Sequence, residues 1–116
     1  FWAEMGRLKT TADRFGYPNY PIDEEGVVPV LFRRYENLYG DLSAGSGYNA
    51  LARDKKYAVE FLNEFQDRLM FGTDICAPDT PAPLVDFLLE IREENLISET
   101  VFQKVARENA RKLLGL

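Results

Sequence analysis

Asp74 ends the segment Arg68-Leu69-Met70-Phe71-Gly72-Thr73-Asp74, a short apolar run that closes on a Gly, a Thr and one acid. The loop after it, Ile75-Cys76-Ala77-Pro78-Asp79-Thr80-Pro81, cannot continue the run. Parallel α/β folds place a catalytic or metal-binding acid in this way, at the C-terminal tip of a buried strand. A carboxylate there can bind a divalent ion and take a proton from ion-bound water, whose pKa the metal lowers to about 7. Its local alternative is to cap the turn that follows. The chain contains no His, and one carboxylate without imidazoles does not complete a typical catalytic metal centre.

Four further features carry weaker signals. Cys76 lies two residues beyond Asp74, with no His to activate it as a nucleophile and no second Cys to pair with it. Asp41 and Ser43 share one face of a strand, where Asp41 either meets a ligand or ties down a loop backbone, since a buried Asp must be hydrogen-bonded or paired. Gly45-Ser46-Gly47 reads as a flexible small-residue loop; it could cradle an anion but lacks the spacing of a phosphate-binding fingerprint. Asn109 falls on the apolar side of the last helix and is expected to hydrogen-bond a neighbouring loop.

The elements that must hold these residues follow from pattern. Residues 1–9 form a helix candidate with Trp2, Met5 and Leu8 on one side. Residues 10–26, with Pro18, Pro21, Gly16, Gly26 and the acids Asp23-Glu24-Glu25, read as an irregular solvated excursion that includes Tyr17 and Tyr20. A helix is predicted from Val27 to Tyr35, with Pro29 tolerated in its first turn. Asn37–Ser43 alternates and predicts a strand. Helical pieces follow at 48–53 and 55–65, the second capped by Asp54, with Tyr57, Ala58, Phe61, Leu62 and Phe65 at helical spacing. Residues 68–74 predict a second strand. Alternation there places Asp74, Gly72 and Met70 on one face and Leu69, Phe71 and Thr73 on the other. Pro83 opens a helix bearing Leu84, Phe87, Leu88 and Ile91. Ser98 caps the last helix, whose stripe includes Val101, Phe102, Val105, Ala106, Leu113 and Leu114, and Gly115 ends it in a left-handed cap.

Strand, helix, strand is the order of a parallel crossover. Two parallel strands cannot bury both faces of a sheet. The expectation is therefore a single domain piece spanning 1–116, the C-terminal part of a larger parallel α/β protein. The opening Phe1-Trp2-Ala3-Glu4 carries no initiating Met and no signal-peptide pattern, which agrees with a cut through a longer product.

Composition bounds the partners. Lys and Arg number 14 against 19 Asp and Glu, a net charge of -5, and the basic residues form no stripe. That argues against nucleic acid and against an anionic membrane surface; no apolar run nears the roughly 20 residues of a transmembrane helix. A lone cysteine excludes a disulfide framework, which fits a cytoplasmic location. A small-molecule substrate is the expected partner, and a homo-oligomer is compatible with the sequence.

One series of segments carries a resemblance. Asn37-Leu38-Tyr39-Gly40-Asp41-Leu42-Ser43-Ala44-Gly45-Ser46-Gly47, then Ala50–Asp54, then Asp67–Asp74, then Ala106-Arg107-Glu108-Asn109-Ala110-Arg111-Lys112-Leu113-Leu114-Gly115-Leu116 resembles the C-terminal part of the amidohydrolase-related family of metal-dependent TIM-barrel hydrolases and decarboxylases. The resemblance covers nearly the whole chain; the Phe-Gly-Thr-Asp tip and the Asn-Ala-x-x-Leu-Leu-Gly ending are its most specific parts.

It implies a (β/α)8 barrel in which 37–43 and 68–74 are strands seven and eight. Asp74 then matches the eighth-strand Asp that touches the metal and takes part in proton transfer. The family's His ligands have no counterpart in these residues. The implied cofactor is a divalent ion, Zn²⁺ first, and the implied function is hydrolysis by metal-activated water in the intact barrel. Ser43, Ser46, Tyr48 and Cys76, on loops beyond the strand tips, would line the substrate pocket. A decarboxylase on the same metal cage is the close alternative. A non-catalytic α/β interaction domain, with Asp74 as a cap, is the alternative from another class.

Overall fold

Two short parallel strands lie at the centre. In the computed structural model, which describes residues 1–116, β1 (Gly40–Asp41) pairs with β2 (Leu69–Met70), Gly40 opposite Leu69 and Asp41 opposite Met70. The ladder is carried by Gly40 N–H to the Arg68 carbonyl and Leu42 N–H to the Met70 carbonyl, both 2.8 Å. The strands expected over 37–43 and 68–74 are therefore in the right places and parallel, but the paired part of each is two residues. On the first, the Asp41 side chain accepts Ser43 N–H at 2.8 Å, which turns the chain out of the ladder. On the second, Phe71 N–H leaves the sheet for the Val105 carbonyl.

The helices are α1 (Val27–Arg34), α2 (Ala44–Ala52), α3 (Lys55–Glu64), α4 (Pro83–Glu93), α5 (Glu99–Gln103) and α6 (Asn109–Leu114), the last two joined by a π turn at Lys104–Glu108. Sequence signals set several ends. Asp54 accepts Tyr57 N–H and caps α3; Ser98 accepts Val101 N–H and caps α5; Gly115, at φ 71°, closes α6 in the left-handed region. No helix is long and apolar enough to cross a membrane.

Three expectations are corrected. The helix expected over 1–9 is a 3-10 turn at Trp2–Met5, because Gly6 then bridges antiparallel to Glu25. The 10–26 excursion contains a second 3-10 turn at Thr11–Phe15. Gly45-Ser46-Gly47 is not a flexible loop but the first turns of α2. The small residues there serve close approach: a Cβ on Gly47 would lie 2.0 Å from the Leu42 carbonyl oxygen. Gly47→Ala is expected to force α2 off β1 and lower stability by about 2 kcal/mol in denaturant unfolding, as overpacking does.

The core is one cluster of 19 buried apolar residues beneath the sheet. Along β1 the alternation is plain: Gly40 and Leu42 point in and are buried, Tyr39 and Asp41 point out and are exposed. Gly40 is required because Trp2 and Phe32 occupy the space its Cβ would take, at 2.9 Å each. The outer face of the sheet, with Tyr39 and Asp41 exposed and Met70 half-buried, has no covering layer. Leu113 and Leu114, expected in the apolar stripe of the last helix, are 50% and 69% exposed.

Candidate functional site

The C-terminal tips of β1 and β2 bring most of the sequence-selected residues to one end of the sheet. β1 delivers Asp41, whose carboxylate is spent in part on Ser43 N–H; of the two roles open for Asp41, tying down the backbone is the one formed. Trp2 Nε1–H donates to the Asp41 carbonyl at 2.9 Å and fixes this tip from below. Ser43 is the residue before α2 and does not cap it with its side chain. The next residue, Ala44, is held at φ 65°, a left-handed conformation that costs a non-glycine residue about 1 kcal/mol.

β2 delivers Asp74. A Cβ on Gly72 would sit 2.9 Å from Ser43 Cβ and 3.1 Å from Asp41 Oδ1, so the absence of a side chain there lets the two tips lie against each other. Past Met70 the segment is no longer paired as a strand, and Asp74 itself is at φ 54°, which ends the strict alternation expected for 68–74. Its carboxylate is exposed. The only donor near it is the Cys76 thiol, 3.9 Å from Oδ1. Capping of the following turn falls instead to neighbouring hydroxyls: Thr73 Oγ1 accepts Ile75 N–H at 3.4 Å and Thr80 Oγ1 accepts Ala77 N–H at 3.1 Å. Asp74 is thus presented to solvent and does not act as a turn cap.

The remaining candidates divide. Cys76 is exposed beside Asp74 and donates to its carbonyl at 3.4 Å. Ser46 and Tyr48 lie within α2 rather than on a loop. The Tyr48 ring packs edge-on against Phe87, centroids 6.4 Å apart. Asn109 is buried and donates to the Gln66 and Leu69 carbonyls at 2.6 and 2.8 Å, the loop contact its position implied.

Sequence reasoning missed the docking of the excursion onto α2 and onto the cap of α3. Asn49 donates to the Pro18 carbonyl at 2.9 Å, Arg53 Nε to the Tyr20 carbonyl at 2.9 Å, and Ile22 N–H donates to Asp54 at 3.0 Å. Arg53 also stacks on the Tyr20 ring at 4.7 Å, and burial lowers its pKa from the usual guanidinium value. The Tyr20 hydroxyl donates to Asp13 at 2.7 Å and holds that carboxyl below its ordinary range. Tyr17 packs over the start of α2, its ring edge 3.2 Å from where a Gly45 Cβ would lie. No periodicity signals these long-range contacts.

A family model described as amidohydrolase matches residues 7–116. The chain belongs to the amidohydrolase family. The match spans all of the elements above except the first 3-10 turn, and it assigns the chain to a hydrolase superfamily. No curated protein and no solved structure matches it. Divalent metals are usual in amidohydrolases, yet no three His, Cys, Asp or Glu side chains come together here to hold an ion. At the end of the β2 segment, Asp74 offers an exposed carboxylate that accepts no backbone N–H. These residues do not by themselves fit a metal centre.

Proposed function

We propose that this chain is the C-terminal part of a (β/α)8 amidohydrolase, supplying its last two barrel strands and, at their tips, the carboxylate of Asp74. The observation that carries the reading is the state of that carboxylate: it stands exposed on the segment that runs on from β2, bound by no backbone N–H. An aspartate so placed can orient a water molecule and accept its proton as the water attacks a carbonyl carbon. Asp74 by itself could give a divalent ion one ligand at most, so a metal centre would need further ligands from elsewhere in the intact barrel. Ser43, Ser46 and Cys76 stand near enough to the strand tips to contact a small-molecule substrate.

The bare sheet face supports the same reading. The chain exposes 7007 Å², against about 6,500 Å² for a compact monomer of its 13.3 kDa mass. Parallel sheets are normally covered on both faces, and here none of Tyr39, Asp41 and Met70 on the outer face is buried.

Metal binding tests the division of labour. The 116-residue chain alone is expected to take up no stoichiometric Zn²⁺ at micromolar concentration in equilibrium dialysis and to show no metal-dependent hydrolysis, since one carboxylate holds such an ion weakly. Tight uptake of one ion per chain would refute the assignment of the remaining ligands to other residues.

A further inference from the structure

We propose that Asn109 and the π turn at Lys104–Glu108 are a positioning device for the strand tip that carries Asp74. The inference rests on the reading of Asp74 given above. β2 has two edges. Toward β1 it offers the Arg68 and Met70 carbonyls, which are taken by Gly40 and Leu42. Toward the other side it offers the Leu69 carbonyl and the Phe71 N–H, and both are taken by the C-terminal helix. Asn109 Nδ2 donates to Leu69 at 2.8 Å and to Gln66 at 2.6 Å, while Phe71 N–H donates to the Val105 carbonyl at 2.8 Å.

The second bond exists because the helix is locally widened. Asn109 N–H bonds the Lys104 carbonyl, five residues back. In a regular α-helix it would bond Val105, four residues back. The π turn therefore frees one carbonyl, and that carbonyl reaches the last anchored backbone group before Asp74. Such widened turns are rare and give up regular helical bonding; here the freed acceptor is used on β2. Lys104, in the same turn, donates to Gln66 Oε1 at 2.9 Å and pairs with Asp67 at 2.8 Å, gripping the residues just before the strand. On the opposite side Gly72 is wedged against Ser43 and Asp41. The tip is thus fixed from both flanks, and only Gly72 and Thr73 separate Phe71 from Asp74.

The test compares Asn109→Asp, which cannot donate to the two carbonyls, and Asn109→Leu with the unsubstituted protein. Two quantities are read: amide hydrogen exchange along the chain, and the ¹³C signal of the Asp74 carboxyl carbon. A positioning role predicts at least tenfold faster exchange at Phe71 and Gly72, a displaced Asp74 signal, and exchange in α3 within twofold of normal. Uniform acceleration that includes α3 would show that Asn109 only stabilises the fold; unchanged exchange at Phe71 with an unchanged Asp74 signal would show that it does neither. Either result overturns the proposal. Should both variants fail to fold, the unsubstituted protein decides: a scalar coupling across the hydrogen bond from Phe71 nitrogen to the Val105 carbonyl carbon is expected, and its absence sinks the inference. Normal turnover in Asp74→Asn would remove the catalytic role of Asp74 while leaving the exchange result intact, so the two failures are separable.

Discussion

Asp74→Asn in the intact enzyme is expected to lower the rate of hydrolysis by a factor of about 10²–10⁴, the range of a lost proton acceptor. The substitution is unusually clean. Asp74 sits at φ 54°, where Asn is as comfortable as Asp. Its side chain makes no backbone hydrogen bond and is exposed, so surface-type behaviour, within about 0.5 kcal/mol, is expected for stability. Activity and folding therefore separate: a thermal melt should overlay that of the unsubstituted protein while turnover collapses. Turnover within a few-fold of normal would mean that the exposed acid at this tip does no chemistry. Asp41→Asn provides the contrast. Asn keeps an acceptor oxygen for Ser43 N–H, so a much smaller loss is expected there.

Local chemistry was the legible part of this sequence. The caps at Asp54, Ser98 and Gly115 were readable because each depends on one side chain or one backbone conformation within a few residues. The parallel strand before Asp74 was readable for a similar reason, the abrupt change from an apolar run to a Gly-Thr-Asp end, although its pairing stops at Met70 and Asp74 lies in the segment beyond. The lengths of the strands were not. Ladder length depends on where each edge finds a partner, and here the Asp41 side chain and the Val105 carbonyl withdraw the backbone early. Gly45-Ser46-Gly47 misled for a related reason. Small residues signal flexibility in isolation, but here Gly47 against the Leu42 carbonyl is what allows α2 to approach. The docking of 10–26 onto α2 and onto the α3 cap depends on Asn49, Arg53 and Asp54 meeting partners some thirty residues away, which no local window contains.

The support beneath the site makes the largest stability prediction. Phe61 is 2% exposed and touches four other rings: Phe65 at 4.8 Å, Phe32 at 5.6 Å, Trp2 at 6.3 Å and Tyr57 at 6.4 Å between centroids. Its removal deletes both its transfer free energy and the contacts of its neighbours, which a rigid aromatic cluster cannot collapse to recover. Phe61→Ala is expected to lower stability by about 4 kcal/mol, equivalent to roughly 20 °C in a melt for a domain of this size. Phe15→Ala, at a ring that is 89% exposed, should change stability by less than about 0.5 kcal/mol. The consequence reaches the strand tips, because Trp2 and Phe32 press on Gly40 and Trp2 holds the Asp41 carbonyl. A cavity at Phe61 is therefore expected to raise amide exchange at Leu42 before it affects α4 or α5. A loss below 1 kcal/mol, or exchange that rises equally everywhere, would mean that the aromatic cluster does not bear the sheet.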